Sequence, residues 1–430
     1  MNPIRLAAQV LLLLKWLAQL GLAQINERHV RRQAGTVPEP WQSRVTPEAY
    51  ARSVRYTLAK SRLHQLEITW SLLVGLTILF SGVLPRAFQG SSAWLGDSAW
   101  ANGAFLFLAG LAVRAAELPF DWYAQFRLEE RFGFNTATQA IWWLDRLKGL
   151  LLAAGLGYPL LVLVLKLVDW AGSWWWLWAW GTVLGFELVM VVLAPILILP
   201  LFNRFTPLSQ GGLRQQLLAV AERTGFRVRS IQVMDGSRRS RHSNAFFTSF
   251  GRFRKIVLFD TLLEQLNESE LAAVLAHEIG HDKKGHIPKL LGWSAAGQLV
   301  GFGALAWLAR AEWFSAAFGL PGGNLAAGLL LFGLLAGTVT YWLTPLANYW
   351  SRRFEYEADA FAAQTMGGTD SLLAALRKLN EKNLSNLTPH PLYSGFYYSH
   401  PTLLERERAL GGSVRREKKE RGPLPSALDE

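Results

Sequence analysis

Seven long apolar runs, separated by stretches that contain the polar residues, set the pattern of this chain. The runs cover residues 6–24, 68–86, 100–118, 149–169, 174–200, 289–310 and 325–347. About 20 apolar residues in a helix cross the hydrocarbon core of a bilayer, so each run predicts a transmembrane helix. The first run could instead be a cleaved signal peptide, but Lys15 interrupts its apolar core and favours an uncleaved helix.

The polar stretches between these runs predict the remaining organisation. We expect transmembrane helices one to five with their loops in residues 1–200, a polar insert in 201–288 and the last two transmembrane helices in 289–347. A second polar segment follows in 348–412, and a charged tail covers 413–430.

The insert has the periodicities of a small α+β unit. Residues 213–224 have helical periodicity, and 228–233 alternate like a strand. Residues 244–250 and 255–259 flank Gly251 and predict a hairpin. This hairpin is either a packed part of a sheet or an edge strand that pairs with an extended peptide.

Composition strengthens the membrane prediction. Hydrophobic residues make up 51% of the chain and charged residues 18%, with 19 Trp and 24 Phe. The net charge of +12 could indicate nucleic-acid binding, but the basic residues concentrate in alternate loops such as 25–66 and 119–148. The intervening loops 87–99, 170–173 and 311–324 contain no Lys or Arg, which predicts an external amino terminus, cytoplasmic basic loops and no nucleic-acid partner. The absence of Cys excludes disulfides and thiolate metal ligands.

One short motif carries candidate chemistry. His277 and His281 are four residues apart with Glu278 between them, so on a helix both imidazoles project from one face and can share a zinc ion. Glu278 would then serve as the general base. An acidic first turn and an apolar stripe from Ser269 to Ala276 predict the required helix. The alternative is a pair of surface histidines on an amphipathic helix.

A catalytic zinc site requires a third protein ligand. Glu355 and Asp359 follow the seventh span and lie one helical turn apart, so Glu355 could bind the metal while Asp359 accepts the other ring N–H of a ligating histidine. A solvated acidic helix face is the alternative. His286, nine positions after His277, is a candidate supporting residue or a surface histidine.

Several motifs, in order, extend over roughly residues 50 to 410 and resemble one family. They are Leu118-Pro119-Phe120, Phe132-Gly133-Phe134-Asn135, the segments 200–208, 243–247 and 256–263, His277-Glu278-Ile279-Gly280-His281, the segment 351–359, and Ser399-His400-Pro401. Together they resemble the integral-membrane zinc metalloproteases of the type I CAAX prenyl endopeptidase family. Asp282 and Thr402 depart from the family pattern, which leaves the shape of the substrate groove open.

The resemblance implies an α-helical polytopic membrane protein, with seven helices around a large water-filled chamber and a small cytoplasmic zincin-like α+β domain. It implies one Zn²⁺ per chain, with Glu355 as the third ligand and Asp359 supporting a histidine. It also implies that His400 donates near the substrate carbonyl and that the strand at Asn244 and Ala245 holds the substrate backbone.

The expected function is therefore zinc-dependent hydrolysis of peptide bonds, with a peptide or protein substrate and with membrane lipid as surroundings. The resemblance implies removal of the last three residues of prenylated proteins. A general quality-control membrane protease of the heat-shock type, and a non-catalytic binder or transporter of lipidated peptides, are the alternatives. The absence of a retention signal favours a bacterial plasma membrane, with the site facing the cytoplasm.

Overall fold

The computed structural model describes residues 2–42, 45–243, 245–250 and 253–420, and most of them are helical. The helices, in chain order, are α1 (Pro3–Gln33), α2 (Pro47–Phe80), α3 (Val83–Leu95), α4 (Ala99–Tyr123), α5 (Gln139–Leu152), α6 (Tyr158–Ala171), α7 (Trp175–Leu193), α8 (Leu199–Phe202), α9 (Gly212–Arg223), α10 (Asp260–Gln265), α11 (Glu268–Lys283), α12 (His286–Arg310), α13 (Glu312–Ala316), α14 (Leu325–Thr340), α15 (Thr344–Met366), α16 (Asp370–Lys382), α17 (Pro391–Tyr397) and α18 (Leu403–Glu420). The strands are β1 (Phe205–Pro207), β2 (Ser230–Met234), β3 (Ala245–Phe250) and β4 (Phe253–Phe259).

Six helical runs in the described residues are long and apolar enough to cross a membrane, and they account for the seven predicted spans. The longest, from Gln139 to Phe202, has 64 residues and contains both the fourth and the fifth predicted span. Gly172 separates them, because its φ of +53° ends α6, and α7 then packs back against α6. The prediction of a polytopic helical membrane protein is confirmed, whereas the chamber stays a prediction.

The second span ends earlier than its hydropathy suggests. Helix α2 stops at Phe80, and Gly82 then adopts a φ of +80° at the amino end of α3. Residues 83–86, which the hydropathy pattern assigns to the span although Arg86 is charged, therefore begin a separate helix. The Phe88 ring of α3 packs edge-on against the Phe105 ring of α4, with centroids 5.3 Å apart.

The membrane unit comprises residues up to 25, 58–202 and 289–344. Two of its ionisable side chains inside predicted spans have polar or aromatic partners, which lowers the cost of placing charge in lipid. The Glu187 carboxylate accepts a hydrogen bond of 2.7 Å from the Gln298 side chain, and the Lys166 amine lies 5.0 Å from the centre of the Trp100 ring.

The second unit comprises residues 26–57, 203–288 and 345 onwards, and we call it the catalytic unit from the motifs it carries. Its four-stranded sheet has the order β1-β2-β4-β3. Strand β2 runs parallel to β4, whereas β1 and β3 are antiparallel to their neighbours. The helix and the hairpin predicted for the insert are confirmed, and β3 is an edge strand of this sheet.

Residues 26–57 belong to the catalytic unit although they flank transmembrane segments. The Ser53 hydroxyl donates to the carbonyl of Ser385 at 2.7 Å, and the Asn26 side chain accepts from the His390 amide at 2.9 Å. These two contacts tie the segment to the chain that follows α16. The polar ends of α1 and α2 therefore form part of the unit that carries the motif residues.

Close packing of α4 on α6 predicts a stability effect at Gly103. A Cβ there would lie 2.8 Å from Cγ2 of Val162, so Gly103→Val should overpack the contact and cost about 1–3 kcal/mol. The matched control is Gly110→Val on the same helix, where nothing lies within 4 Å of the added Cβ. Thermal unfolding in detergent should show a lower midpoint for the first variant alone, and equal midpoints would contradict this packing.

Candidate metal centre and active site

Helix α11 begins where its capping residues satisfy its first amides. The Asn267 side chain accepts from the Glu270 amide at 2.9 Å, and the Glu270 carboxylate accepts from the Asn267 amide at 2.9 Å. The helix thus starts at Glu268, one residue before the predicted acidic turn. Nearly all of its residues from 270 to 280 are buried, including His277, which places the motif helix inside the catalytic unit rather than on its surface.

The structure brings three candidate ligands together. Nε2 of His277 lies 3.2 Å from Nε2 of His281, 3.5 Å separates the first nitrogen from Oε2 of Glu355, and 3.4 Å separates the second from Oε1 of Glu355. The ligand atoms of these three residues all lie within 4.8 Å of one another. Two imidazoles and a carboxylate therefore converge on one point.

This arrangement fits a metal ion. Ligand atoms bound tetrahedrally at the usual zinc distances are separated by about 3.3 Å. The one N···N and two N···O distances between these side chains are close to that value. Oε2 of Glu355 is buried and has no hydrogen-bond partner among the described residues. Nη1 of Arg406 lies 3.7 Å from this oxygen, which is too far for a hydrogen bond, so a metal ion at the point of convergence would satisfy the oxygen directly.

Helices α11 and α15 lie close together at Gly280, between the two histidines. A Cβ at Gly280 would lie 3.1 Å from Cα of Ala358 and 3.2 Å from Cβ of Phe361. No methyl group fits there without moving the helices apart. The absent side chain at Gly280 therefore sets the distance at which Glu355 meets the histidines.

Asp359 contacts the ring nitrogen of His277 that faces away from the other two candidate ligands. Its Oδ1 lies 2.9 Å from Nδ1 of His277, which fixes the proton on that nitrogen and leaves Nε2 free for a metal. Arg406 of α18 donates to the same carboxylate through two nitrogens, one of them Nε at 2.7 Å. Both residues are at least nine-tenths buried, so this bidentate ion pair is shielded from water.

His281 has an equivalent partner in His286. The two Nδ1 atoms are 2.9 Å apart, and Nε2 of His286 lies 3.2 Å from Oε2 of Glu357. The His286 side chain is 1% exposed and stacks on the Phe354 ring, so the surface-histidine alternative is wrong. If Nε2 of His281 faces a metal, its Nδ1–H donates to His286, and His286 in turn donates to Glu357.

Burial and neighbouring charges shift the pKa values of several groups at the centre, among them His277 and Glu278. Burial alone would lower the pKa of His277, but its hydrogen bonds to Asp359 and Glu355 outweigh that effect and raise the pKa to about 9. A metal ion must displace this proton, so metal affinity falls as the pH falls. Burial also raises the pKa of Glu278, which lies close enough to both histidines and Glu355 for their charges to act on it.

His400 lies next to Glu355, the third candidate ligand, and the chain just before it is held by hydrogen bonds. Its Nε2 lies 3.4 Å from Oε1 of Glu355, and its side chain is 66% exposed. Arg352 of α15 donates to the carbonyls of Gly395 at 3.1 Å and Tyr398 at 2.7 Å, which anchors the chain just before His400. A donor that is held in place but open on one side can reach a bound substrate.

The predicted substrate strand is described in part. Asn244 lies outside the described residues, and Ala245 begins β3, where it pairs with Leu258 of β4. Strand β3 ends the sheet, so its far edge can accept a further extended chain. The role assigned to Asn244 and Ala245 stays a prediction.

Comparisons with known proteins cover almost the whole chain. A family model described as the CAAX prenyl protease N-terminal part, with five membrane helices, matches residues 26–204, and the model of peptidase family M48 matches residues 207–414. The chain is 35% identical to a CAAX prenyl protease 1 homolog of Oryza sativa over 392 residues, which cover 89% of this chain and 92% of that protein. It is 33% identical to CAAX prenyl protease 1 of Saccharomyces cerevisiae, with coverage of 87% and 88%.

The chain belongs to peptidase family M48. A solved structure agrees, because the fold matches S. mikatae Ste24p with a TM-score of 0.87 at 31% identity, covering 95% of this chain and 99% of that one. The protein is accordingly a multi-pass membrane metalloendopeptidase of this family, with His277, His281 and Glu355 as its candidate metal site. The predicted resemblance and enzyme class are confirmed, whereas the individual residue roles stay predictions.

Two residues of this site escaped the sequence reasoning. Arg406 occupies a position between Leu403 and Leu410 on the buried face of α18, and a charge on an apolar stripe was the available signal. Glu357 was passed over because its neighbours Glu355 and Asp359 had the better spacing for a metal site. Glu357 stands within the 351–359 motif but received no role there, whereas Arg406 lies outside all of the quoted motifs.

Arg406→Lys should weaken metal binding without unfolding the protein. A lysine keeps the charge beside Asp359 but cannot make two parallel hydrogen bonds, so His277 is held less firmly. We expect a loss of about tenfold or more in zinc affinity, measured by competition with a chromogenic chelator. Arg408→Lys, an exposed position on the same helix, is the control, and equal affinities for both variants would contradict the role of Arg406.

Proposed function

We propose that His277, His281 and Glu355 bind one Zn²⁺ per chain and that the protein hydrolyses peptide bonds at this centre. The observation that carries the proposal is the convergence of the two Nε2 atoms, 3.2 Å apart, on the buried Glu355 carboxylate, whose Oε1 lies 3.4 Å from His281 and whose Oε2, which has no hydrogen bond in the described residues, lies 3.5 Å from His277. When bound, zinc supplies a Lewis acid that polarises the peptide carbonyl and lowers the pKa of water.

The surrounding residues supply the proton transfers and the positioning. Glu278 takes the proton of the attacking water and delivers it to the leaving amine, a task for which its raised pKa suits it. His400 donates to the developing oxyanion from its exposed side. Asp359 and Arg406 keep His277 in the required tautomer, while the edge of β3 pairs with the substrate backbone.

For the substrate, we propose the carboxyl-terminal segment of a prenylated protein, from which the last three residues are removed. Support comes from relatives in rice and budding yeast whose names describe CAAX prenyl proteases and whose length this chain nearly spans. The same coverage, with the five-helix amino-terminal region, argues against the shorter heat-shock type of membrane protease.

The site is proposed to face the cytoplasm. The basic loops, including the catalytic unit, lie on one predicted side of the membrane, and basic residues favour the cytoplasmic side. A bacterial plasma membrane was the expectation from the sequence, and it stays a prediction because the relatives named here are eukaryotic.

Glu278→Gln should bind zinc and lose turnover. Glutamine preserves the shape and the neighbours of the side chain but cannot accept the proton, so we expect a fall of about 100-fold or more in kcat. Metal analysis of the purified variant should still give one zinc per chain. Glu268→Gln, exposed in the first turn of the same helix, should retain full activity.

Near-normal cleavage by Glu278→Gln would remove this residue from the mechanism. Loss of zinc from the variant would leave its role undecided between base and structural support, so metal content is measured on the same sample. A variant that keeps zinc and loses turnover isolates the proton transfer from the metal centre.

A prenyl group should promote cleavage. We expect the detergent-purified protein to release the terminal tripeptide from a farnesylated CAAX peptide, and to act at least tenfold more slowly on the same peptide without the lipid. Mass spectrometry of both products gives the cleavage position and the relative kcat/KM. A chelator should stop the reaction, and added zinc should restore it.

Faster cleavage of unprenylated membrane-protein fragments would favour quality control instead. Zinc binding without hydrolysis of any of these peptides would favour a binder or transporter of lipidated peptides. Both outcomes keep the metal centre and reject the proposed substrate class.

A further inference from the structure

A cavity of about 380 Å³ in the membrane unit has features of a binding site. Three arginines line it, namely Arg62 of α2 together with Arg127 and Arg131 of the segment that follows α4. Leu63, Phe120 and Phe132 supply apolar walls. A cationic mouth with an apolar wall is complementary to an amphiphile that carries a negative headgroup.

The local backbone brings the arginines to one side. Residues Ala124–Glu129 form a π-helical segment, which takes up one more residue per turn than an α-helix. In a regular α-helix, residues eight apart drift away from a common face. The wide turn reduces this drift, so Tyr123, Arg127 and Arg131 all line the cavity.

None of the three guanidinium groups has an ion-pair partner within the part of the chain that the structure describes. Arg127 and Arg131 lie over the rings of Trp122 and Phe132, at 5.6 and 5.8 Å from their centres. The lining contains no acidic residue. Two nearby acids have other contacts: Glu67 lies 3.8 Å from His64, and Glu130 accepts from Asn135 at 2.8 Å.

The arginines also lie at one end of two apolar spans. Arg62 precedes the apolar run that starts at 68, and Arg127 follows the run that ends at 118. Both positions adjoin the basic loops that the charge pattern places on the cytoplasmic side. This is the depth at which lipid phosphates lie, and anionic lipids concentrate in the cytoplasmic leaflet.

We propose that this cavity binds the headgroup phosphate of an anionic phospholipid from the cytoplasmic leaflet. The guanidinium groups donate charge-assisted hydrogen bonds to the phosphate oxygens, and an acyl chain runs along Leu63, Leu66 and Phe120. The site is separate from the metal centre, and its occupancy does not require proteolysis.

The test is native mass spectrometry of the full chain released from detergent. The protein is titrated with phosphatidylglycerol and, separately, with phosphatidylcholine of the same acyl chains. We expect saturable retention of one phosphatidylglycerol, and at least tenfold weaker retention of phosphatidylcholine. Glycerol phosphate, which has the headgroup charge without the chains, should compete only weakly.

The variant Arg62→Gln/Arg127→Gln/Arg131→Gln should lose at least tenfold in retention of phosphatidylglycerol, because each basic residue near a membrane surface contributes a factor of about five. The control removes three exposed arginines elsewhere, Arg28→Gln/Arg223→Gln/Arg227→Gln, with the same change in net charge. Thermal unfolding checks that both variants fold, and the single change Arg62→Gln, with about a fivefold loss expected, serves if the triple variant does not.

Three results would overturn the proposal. Unchanged lipid retention in the triple variant, or an equal loss in the control, would mean that the cavity is not the site. Equal retention of both lipids would remove the role of charge. Displacement of phosphatidylglycerol by an equal concentration of glycerol phosphate would indicate a site for soluble anions rather than for a lipid.

Discussion

The close approach of α11 and α15 at Gly280 is the contact on which the candidate site depends. At that point a Cβ would lie 3.1 Å from Cα of Ala358, so the two helices are too near for a side chain to fit between them unless a neighbour shifts. The histidines of α11 then meet the carboxylates of α15 without any bridging segment. Both elements are helices of several turns. The ligand positions therefore follow from the helical repeat of α11, the helical repeat of α15 and the distance between the two helices at Gly280. Sites built on such elements hold their geometry better than sites built on loops.

That proximity has an electrostatic cost, which the neighbouring residues offset. Glu355, Asp359 and His277 are all buried, and burying charges is favourable only when each charge has partners. Asp359 has two, His277 and Arg406, whereas Glu355 keeps one oxygen without a hydrogen bond. This difference in hydrogen bonding gives the two carboxylates different chemical roles. One of them is saturated by protein donors and can only orient a histidine, while the other retains the capacity to bind a cation.

The sequence predicted those parts of the fold and site that depend on local pattern. Length and hydropathy identified the spans, and helical spacing identified His277 with His281 and Glu355 with Asp359. The early end of the second span was not predictable from hydropathy, because residues 83–85 are apolar in either arrangement and the φ of Gly82 separates them from α2. Arg406 and Glu357 were missed for a different reason. Arg406 contacts Asp359, which is 47 positions away in sequence, and Glu357 contacts His286, which is 71 positions away. A helical or strand periodicity cannot predict contacts between residues so far apart in sequence.

Glu355 and His286 lie on helical runs that also carry membrane spans. The last apolar run ends at residue 347, and Glu355 follows eight residues later on α15, a rise of about 12 Å. His286 begins α12, three residues before the sixth run starts. Hydrolysis needs water and an extended peptide, neither of which the hydrocarbon core accommodates. A lipid-modified peptide, by contrast, has its polar chain in the aqueous layer and its anchor in the bilayer. Along the chain, Glu355 therefore falls about two helical turns outside its apolar run, in the polar part of that helical run rather than in the apolar part.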